Sequence, residues 1–308
     1  MGTAKASGDA LNIGSAIGDC LTDTFTISSP GKLGSPVICG YNTGQHSKIQ
    51  YFTSGFCFVS PLSFFHSVII DVGEGCQMAN FHIGSSTTTT RQWNIYVTQY
   101  TCGQEDLAGP PGCLQYHTGT TGLLKNFGYP SSNTASSTDV STTHLQNQVY
   151  QICIRRESSY CYICYSAWHS SPAGSFGLSI GPTAAIAKAR VSTACIDDYV
   201  VIPGGHTSAI AAIGDPTVAS ISKFCGRYLA TSDTATEISI CCKLQKLWTF
   251  CIFHCFFALI ARNIPFRVGV VFNDEEICSD ADASIACEAD LIPGGILGFA
   301  LGYTQKSC

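Results

Sequence analysis

Cysteine constrains this chain more than any other residue, because 18 of its 308 residues are cysteines. Cysteine this frequent in a chain this long is unusual for a reducing cytosol, and paired thiols are its expected state. Residues 1–19 contain no apolar run of the signal-peptide type, so we expect the natural chain to begin further upstream. The sequence therefore predicts an extracellular protein whose fold is held by disulfide bonds.

Alternating apolar and polar residues predict β-strands along most of the chain. The expected strands cover residues 92–100, 149–154, 199–202, 237–241, 266–272 and 298–304. Clusters of Gly and Pro separate them at residues 109–112, 129–132, 202–205 and 293–295, and only residues 184–189 have helical character. Many short strands with such turns predict an all-β fold, either a sandwich or a barrel.

Three short motifs occur twice in the same order, which indicates two related modules. Cys20-Leu-Thr-Asp-Thr-Phe is followed later by Cys195-Ile-Asp-Asp-Tyr, and Ile38-Cys-Gly-Tyr by Phe224-Cys-Gly-Arg-Tyr. Val97-Thr-Gln-Tyr-Thr-Cys is followed by Tyr303-Thr-Gln-Lys-Ser-Cys. We therefore divide the chain into a partial module, residues 1–102, and a full module, residues 103–308.

The second module resembles a CUB domain. The similarity is carried, in the order of the family, by Cys113-Leu-Gln-Tyr, residues 122–130 with their Tyr-Pro turn, Cys153, residues 195–202, Cys225-Gly, residues 265–274 and residues 298–303. Residues 103–119 and 154–165 resemble secreted arthropod CUB proteins more closely. The resemblance implies an antiparallel, jelly-roll-like β-sandwich in two modules, and the first module enters the family pattern halfway.

The resemblance also implies three disulfide bonds. They join Cys20 with Cys39, Cys113 with Cys153, and Cys195 with Cys225. A disulfide that closes a loop of about 20 to 40 residues stabilises a fold by about 3 to 4 kcal/mol.

Cys161 and Cys164 have the CxxC spacing of redox enzymes, but no strand–helix–strand context accompanies them. A zinc site would need a second closely spaced pair, which Cys241-Cys242 does not supply. We therefore interpret Cys161 and Cys164 as structural cysteines. They lie close enough in sequence to compete for Cys113 or Cys153.

Calcium is the small ligand that the resemblance favours. Calcium-binding CUB domains carry one Asp before the Tyr of the Cys-x-Asp-Tyr strand and another after the penultimate strand, and Asp198 and Asp274 match these positions. The upstream Glu of such sites has no counterpart in residues 176–182. Calcium takes six to eight oxygen ligands, so a missing carboxylate weakens the site. The alternative is that Asp198 caps a turn and Asp274 is solvated.

Other ligand classes and catalysis are not supported by the sequence. There is no HExxH, GxSxG or Walker motif, so we expect no enzyme and no cofactor apart from calcium. The net charge is -5 without a basic cluster, which argues against nucleic acid. The most apolar stretch, residues 247–261, is shorter than the roughly 20 residues that a membrane span needs.

A Ser/Thr-rich segment beside Pro130 resembles a tract of O-glycan acceptors, although an ordinary polar loop has the same composition. The candidate acceptors are Ser131, Ser132, Thr134, Ser136, Ser137, Thr138, Ser141, Thr142 and Thr143. No Asn stands in a sequon for N-glycosylation.

Two Phe-rich stretches, residues 47–67 and 242–260, have no counterpart in the family. They read like translated intron ends, and their removal leaves 14 cysteines, a number that pairs completely. Retained introns and genuine insertions are therefore both open.

Three functions fit these observations. The first is a non-enzymatic extracellular structural or adhesive protein that assembles with itself into a fibre or matrix, because few residues are charged and a half-module leaves strand edges open. The second is a soluble CUB module that captures a protein or glycan. The third is a noncatalytic fragment of a larger receptor or protease.

Overall fold

The described part of the chain is built almost entirely from β-strands. A computed structural model describes residues 18, 20–40, 42, 45–49, 66–85, 91–101, 103–129, 144–168, 176–178, 189–196, 198–207, 220–233, 239–243, 265–273 and 298–308. We call residues 18–101 the N-terminal segment and residues 103–308 the main module. The expected all-β fold with antiparallel pairing and disulfides is confirmed.

The N-terminal segment contains four strands, and the described residues of the main module contain eleven strands, one short α-helix and one 3₁₀-helix (Ser192–Ala194). The four are β1 (Thr24–Ser28), β2 (Gln45–Ile49), β3 (His66–Ile70) and β4 (Met78–His82). The main module has helix α1 (Glu105–Ala108) and strands β5 (Gln115–His117), β6 (Thr121–Lys125), β7 (Gln148–Ile154), β8 (Tyr160–Ala167), β9 (Phe176–Gly177), β10 (Ala189–Val191), β11 (Tyr199–Thr207), β12 (Ile221–Gly226), β13 (Ser239–Lys243), β14 (Phe266–Phe272) and β15 (Gly298–Ser307).

The strands of the main module form one continuous, curled sheet. Its order is β5-β7-β14-β11-β13-β8-β15-β6, while β12 joins β10 to β11 and β9 pairs with β15. All these pairs are antiparallel except β5 with β7. Alternate side chains of β14 are buried, as the sequence pattern predicts for a strand with one face on the core.

Strand β11 changes one of its neighbouring strands along its length. Its first residues pair with β14, whereas Gly205 and the residues after it pair with β13, and β12 pairs with β11 both before and after this change. The register shifts between Val201 and Gly205, where Pro203 and Gly204 interrupt the ladder, and Gly204 has a φ of 67°. The expected turn at residues 202–205 is therefore a bend within one strand.

The N-terminal segment repeats part of the geometry of the main module. Phe25 on β1 forms an antiparallel bridge with Ile38, and Val200 on β11 pairs with Phe224 at the corresponding positions of the repeated motifs. Strand β1 pairs with β4 as β11 pairs with β14. The sequence repeat therefore has a counterpart in strand pairing, in which β1 matches β11 and β4 matches β14.

The inner face of the N-terminal segment packs against the main module. Ile27 and Ile38 are buried in the same hydrophobic cluster as the core residues of the main module. The Ile69 N–H donates to the Leu114 carbonyl at 2.6 Å, next to β5. Burying apolar surface in this way stabilises a segment that has few strands of its own.

The predicted strand at residues 92–100 is wrong. The structure places residues 91–101 outside any strand, although their apolar and polar side chains alternate as in a strand. The corresponding strand of the main module is β15, which has β6 on one side and β8 on the other. Among the described residues no strand pairs with residues 92–100, so no ladder of backbone hydrogen bonds includes them.

The two Phe-rich stretches lie mostly outside the described residues. Within them, residues 47–49 and 66–67 belong to the parallel pair of β2 and β3, and residues 242–243 end β13. Residues 184–188, where helical character was expected, also lie outside, and residue 189 belongs to β10. Among the helices that the structure describes, none is long and apolar enough to cross a membrane.

Candidate functional site

The cysteines that the CUB resemblance pairs are brought together in the structure. Disulfide bonds join Cys20 to Cys39, Cys113 to Cys153, and Cys195 to Cys225.

The CxxC cysteines do not bond to each other. Cys161 bonds to Cys308, and Cys164 bonds to Cys241 on the neighbouring strand β13. Since each bond ties β8 to another strand, both cysteines act as structural staples rather than as a redox pair.

Cys242 is a buried free thiol beside the Cys164–Cys241 disulfide. Burial raises the pKa of the Cys242 thiol to about 12. Only the thiolate attacks disulfides or alkylating reagents, so Cys242 is chemically inert at neutral pH and leaves its neighbour intact.

Alkylation of the native protein at pH 8 with iodoacetamide is expected to leave Cys242 unmodified while the exposed Cys76 reacts. The raised pKa makes the thiolate of Cys242 about a thousandfold rarer than that of an ordinary thiol. Peptide mass spectrometry against time measures both rates, and unfolding in urea is the control in which the rates should converge. Native labelling of Cys242 at the rate of Cys76 would contradict the burial.

Asp198 lies in a buried polar cluster. Its Oδ1 accepts the backbone N–H of Asn273 at 2.8 Å, and its Oδ2 lies 3.1 Å from His144 Nε2. Both side chains are fully buried. The other ring nitrogen of His144 lies 3.2 Å from the Leu145 carbonyl. The structure therefore holds the His144 ring between a carboxylate oxygen of Asp198 and the backbone carbonyl of Leu145.

The expected calcium site at Asp198 and Asp274 stays a prediction, because Asp274 lies outside the described residues. Within the described ranges, no group of three or more His, Cys, Asp or Glu residues is placed to hold a metal ion. Asp198 is engaged by Asn273 and His144, so it serves the packing of the module whether or not an ion binds nearby. The expected O-glycan acceptors between residues 131 and 143 also lie outside the described residues.

Asp23 occupies the position in the N-terminal segment that Asp198 occupies in the main module. Its Oδ1 accepts the N–H of Gly84 at 2.7 Å, just after β4, as Asp198 accepts Asn273 just after β14. Arg91 takes the place of His144, with its Nε 3.1 Å from both carboxylate oxygens. The N-terminal segment and the main module therefore share the arrangement in which an Asp accepts the N–H that follows a paired strand.

The Asp23–Arg91 pair anchors residues 91–100 beside β1 and β4. Arg91 also donates from Nη2 to the Gly84 carbonyl at 2.9 Å. The Gly84 N–H and the Arg91 guanidinium hold the pKa of Asp23 below its usual value. A lowered carboxylate pKa contributes stability at neutral pH, and this contribution is lost as the pH falls through the lowered value.

An exposed apolar surface follows from this anchoring. Phe81 contacts Phe25 and Trp93, with ring centroids 4.9 and 5.0 Å apart. We define the aromatic surface as the exposed Phe81 and Trp93 together with the partly buried Phe25. Residues 77–85 and 92–101 contain no Asp, Glu, Lys or Arg, so the surface is also uncharged.

Exposed apolar side chains are concentrated in this part of the molecule. Nine of the thirteen large exposed hydrophobic residues in the described part of the chain lie in the N-terminal segment, although it is the smaller part. Contiguous exposed apolar patches mark interaction sites more often than isolated exposed residues do. The sequence analysis missed this surface, because alternation predicted that residues 92–100 would be half buried.

The comparisons with known proteins agree with the geometry of the main module. A comparison with curated proteins found no match. A family model described as the animal CUB domain matches residues 110–306, nearly two thirds of the chain, and leaves the N-terminal segment outside. Because the match covers more than half of the chain, and the matched residues form a disulfide-linked β-sandwich, the chain belongs to the animal CUB domain family.

Proposed function

We propose that the protein is a non-enzymatic extracellular structural or adhesive protein that associates with copies of itself through its N-terminal segment. Animal CUB domains and multiple disulfides are typical of extracellular proteins, and CUB domains are generally noncatalytic modules that mediate protein interactions. Membership of the family therefore supports a binding or structural module. The proposal adds the binding partner, which is another copy of the same chain.

The aromatic surface is the observation that carries the proposal. Trp93 is 60% exposed and packs on Phe81 at the surface, so part of a large apolar side chain is left in water. Aromatic side chains are enriched among the residues that dominate binding energy at protein interfaces. With 12% charged residues in the chain, repulsion between like copies is weak.

Substitution of Trp93 tests the proposal. Wild-type protein is expected to associate in a concentration-dependent manner in sedimentation velocity and to form assemblies visible by negative-stain electron microscopy. Trp93→Ala should raise the dissociation constant at least about thirtyfold, because a central interface Trp contributes about 2 kcal/mol or more.

Trp168→Ala is the matched control, since Trp168 is a similarly exposed Trp of the main module. Its dissociation constant should equal that of the wild type. A wild-type protein that stays monomeric at every concentration would overturn the proposal, as would an equal loss of association in both variants.

A further inference from the structure

We call the edge of β4 that does not face β1 its outer edge. It corresponds to the edge of β14 that pairs with β7 in the main module. Strand β4 matches β14 residue by residue, with Ala79 at the place of Val268 and Phe81 at the place of Val270. In the main module both valines pair with residues of β7, which lies antiparallel to β14. The described residues of the N-terminal segment include no counterpart of β7.

Two residues of β4 direct their backbone N–H and C=O groups toward this edge. On β1, Phe25 exchanges backbone hydrogen bonds with Ile38, and Ile27 also bonds on that side, away from β4. Phe25 and Ile27 are the residues that lie opposite Phe81 and Ala79. Because these pairs do not bond across β1 and β4, Ala79 and Phe81 direct their N–H and C=O groups outward.

The edge also lacks the features that usually protect an open strand. All five residues of β4 are exposed, and no described strand pairs with the outer side. Residues 77–85, which include β4 and its flanks, contain no Pro and no Lys, Arg, Asp or Glu. Such residues discourage pairing between molecules at open strand edges. A two-stranded ribbon such as β1–β4 is only marginally stable by itself, so a further strand stabilises it.

We propose that the outer edge of β4 pairs antiparallel with β4 of a second copy of this chain, around a two-fold axis at Asn80. This inference rests on the proposed function and names the contact that carries it. The edge is self-complementary in this register. Ala79 of each copy lies opposite Phe81 of the other, and both residues direct their backbone groups to the shared edge.

The same register joins the apolar faces of the two copies. Phe81 lies on the same face as Phe25 and packs against Trp93, and a two-fold axis perpendicular to the sheet keeps this face continuous. The strand order becomes β1–β4–β4–β1, and no charged residue from either β4 is brought into contact with its partner. A second copy therefore satisfies the hydrogen bonds and covers part of the aromatic surface together.

The variant Ala79→Pro removes an outward N–H without breaking a bond to β1. Proline is tolerated at the open edge of a sheet when its nitrogen faces away from the neighbouring strand. Each dimer loses the N–H of residue 79 from both copies, so the dissociation constant should rise about thirtyfold or more. Ala79→Ser, which keeps the N–H, is the matched control and should associate like the wild type.

Charge pairs at Asn80 test the two-fold register without relying on proline. Asn80→Asp and Asn80→Lys each place like charges directly opposite each other, so each variant alone should associate less than the neutral control Asn80→Ser. An equimolar mixture of the Asp and Lys variants should recover association, because opposite charges then face each other across the axis.

Hydrogen exchange and sedimentation of the full chain give the decisive outcomes. The amides of residues 79 and 81 should exchange more slowly as the protein concentration rises. Protection of these amides in a monomer would overturn the inference, because the chain itself would then cover the edge. Self-association that is unchanged in Ala79→Pro, or charge variants that fail to recover on mixing, would also overturn it. If Trp93→Ala still weakened association in that case, the proposed function would stand with another contact.

Discussion

Replacing Asp198 with alanine is expected to lower the free energy of unfolding by about 3 kcal/mol or more, because it leaves two buried groups without their acceptor and each unsatisfied group costs about 1 to 3 kcal/mol. The change leaves the buried His144 ring without the carboxylate that it contacts, and it also removes the acceptor of the Asn273 N–H. Urea unfolding followed by circular dichroism measures the change, with the slope of the transition compared between variants.

Two further variants separate the charge from the hydrogen bond at this position. Asp198→Asn keeps an oxygen for the Asn273 N–H, so it should lose less stability than Asp198→Ala. The double variant His144→Leu/Asp198→Leu removes both polar side chains and should recover part of the loss, because apolar replacement of both members of a buried polar pair leaves neither one without a partner. A loss below about 1 kcal/mol in Asp198→Ala would contradict the buried pair. Calorimetry with Ca²⁺ is the separate check of the calcium prediction, and no heat in the wild type would remove it.

Removing the Cys161–Cys308 disulfide is expected to cost about 5 kcal/mol of stability in the loop-entropy relation. The bond spans 147 residues and links β8 to the end of β15, the strand that pairs with β6, β8 and β9. A long loop gains the most freedom in the unfolded chain when its closure is removed. The double variant Cys161→Ser/Cys308→Ser should therefore unfold at a markedly lower urea concentration than the wild type.

The matched comparison is the double variant Cys20→Ser/Cys39→Ser. Its bond spans only 19 residues, so the same relation gives about 3 kcal/mol. Both double variants replace two cysteines with serine and remove one disulfide bond, and only the loop length and the position of the bond differ. Equal or reversed losses would show that the native packing around each bond, rather than the entropy of the unfolded chain, sets its contribution.

The strands of the main module could be predicted from the sequence because each carries a pattern within its own residues. Residues 266–272 alternate between buried and accessible side chains in the structure as they alternate in the sequence. The motifs around Cys195 and Cys225 carry the resemblance to CUB domains that implied their pairing, and the structure joins this pair. Alternation and spacing are properties of neighbouring residues, so a single sequence carries them.

The aromatic surface could not be predicted from local sequence patterns. Residues 92–100 alternate as well as residues 298–304 do, yet only the latter lie in a strand. Trp93 is exposed in a segment with which no described strand pairs, while Arg91 holds that segment against Asp23. The partner of a strand lies far away in the chain or in another molecule, and local patterning contains no record of it.

By itself, the sequence determined the fold class, the strands whose alternation matches the core, and the disulfide-rich character that 18 cysteines indicate. Only the tertiary structure decided the partners. It bonded Cys161 and Cys164 to distant cysteines, placed His144 against Asp198, and left the outer edge of β4 without a described strand. The physical reason is that side-chain periodicity is set by the local chain, whereas pairing depends on which remote segments the folded core brings within hydrogen-bonding distance.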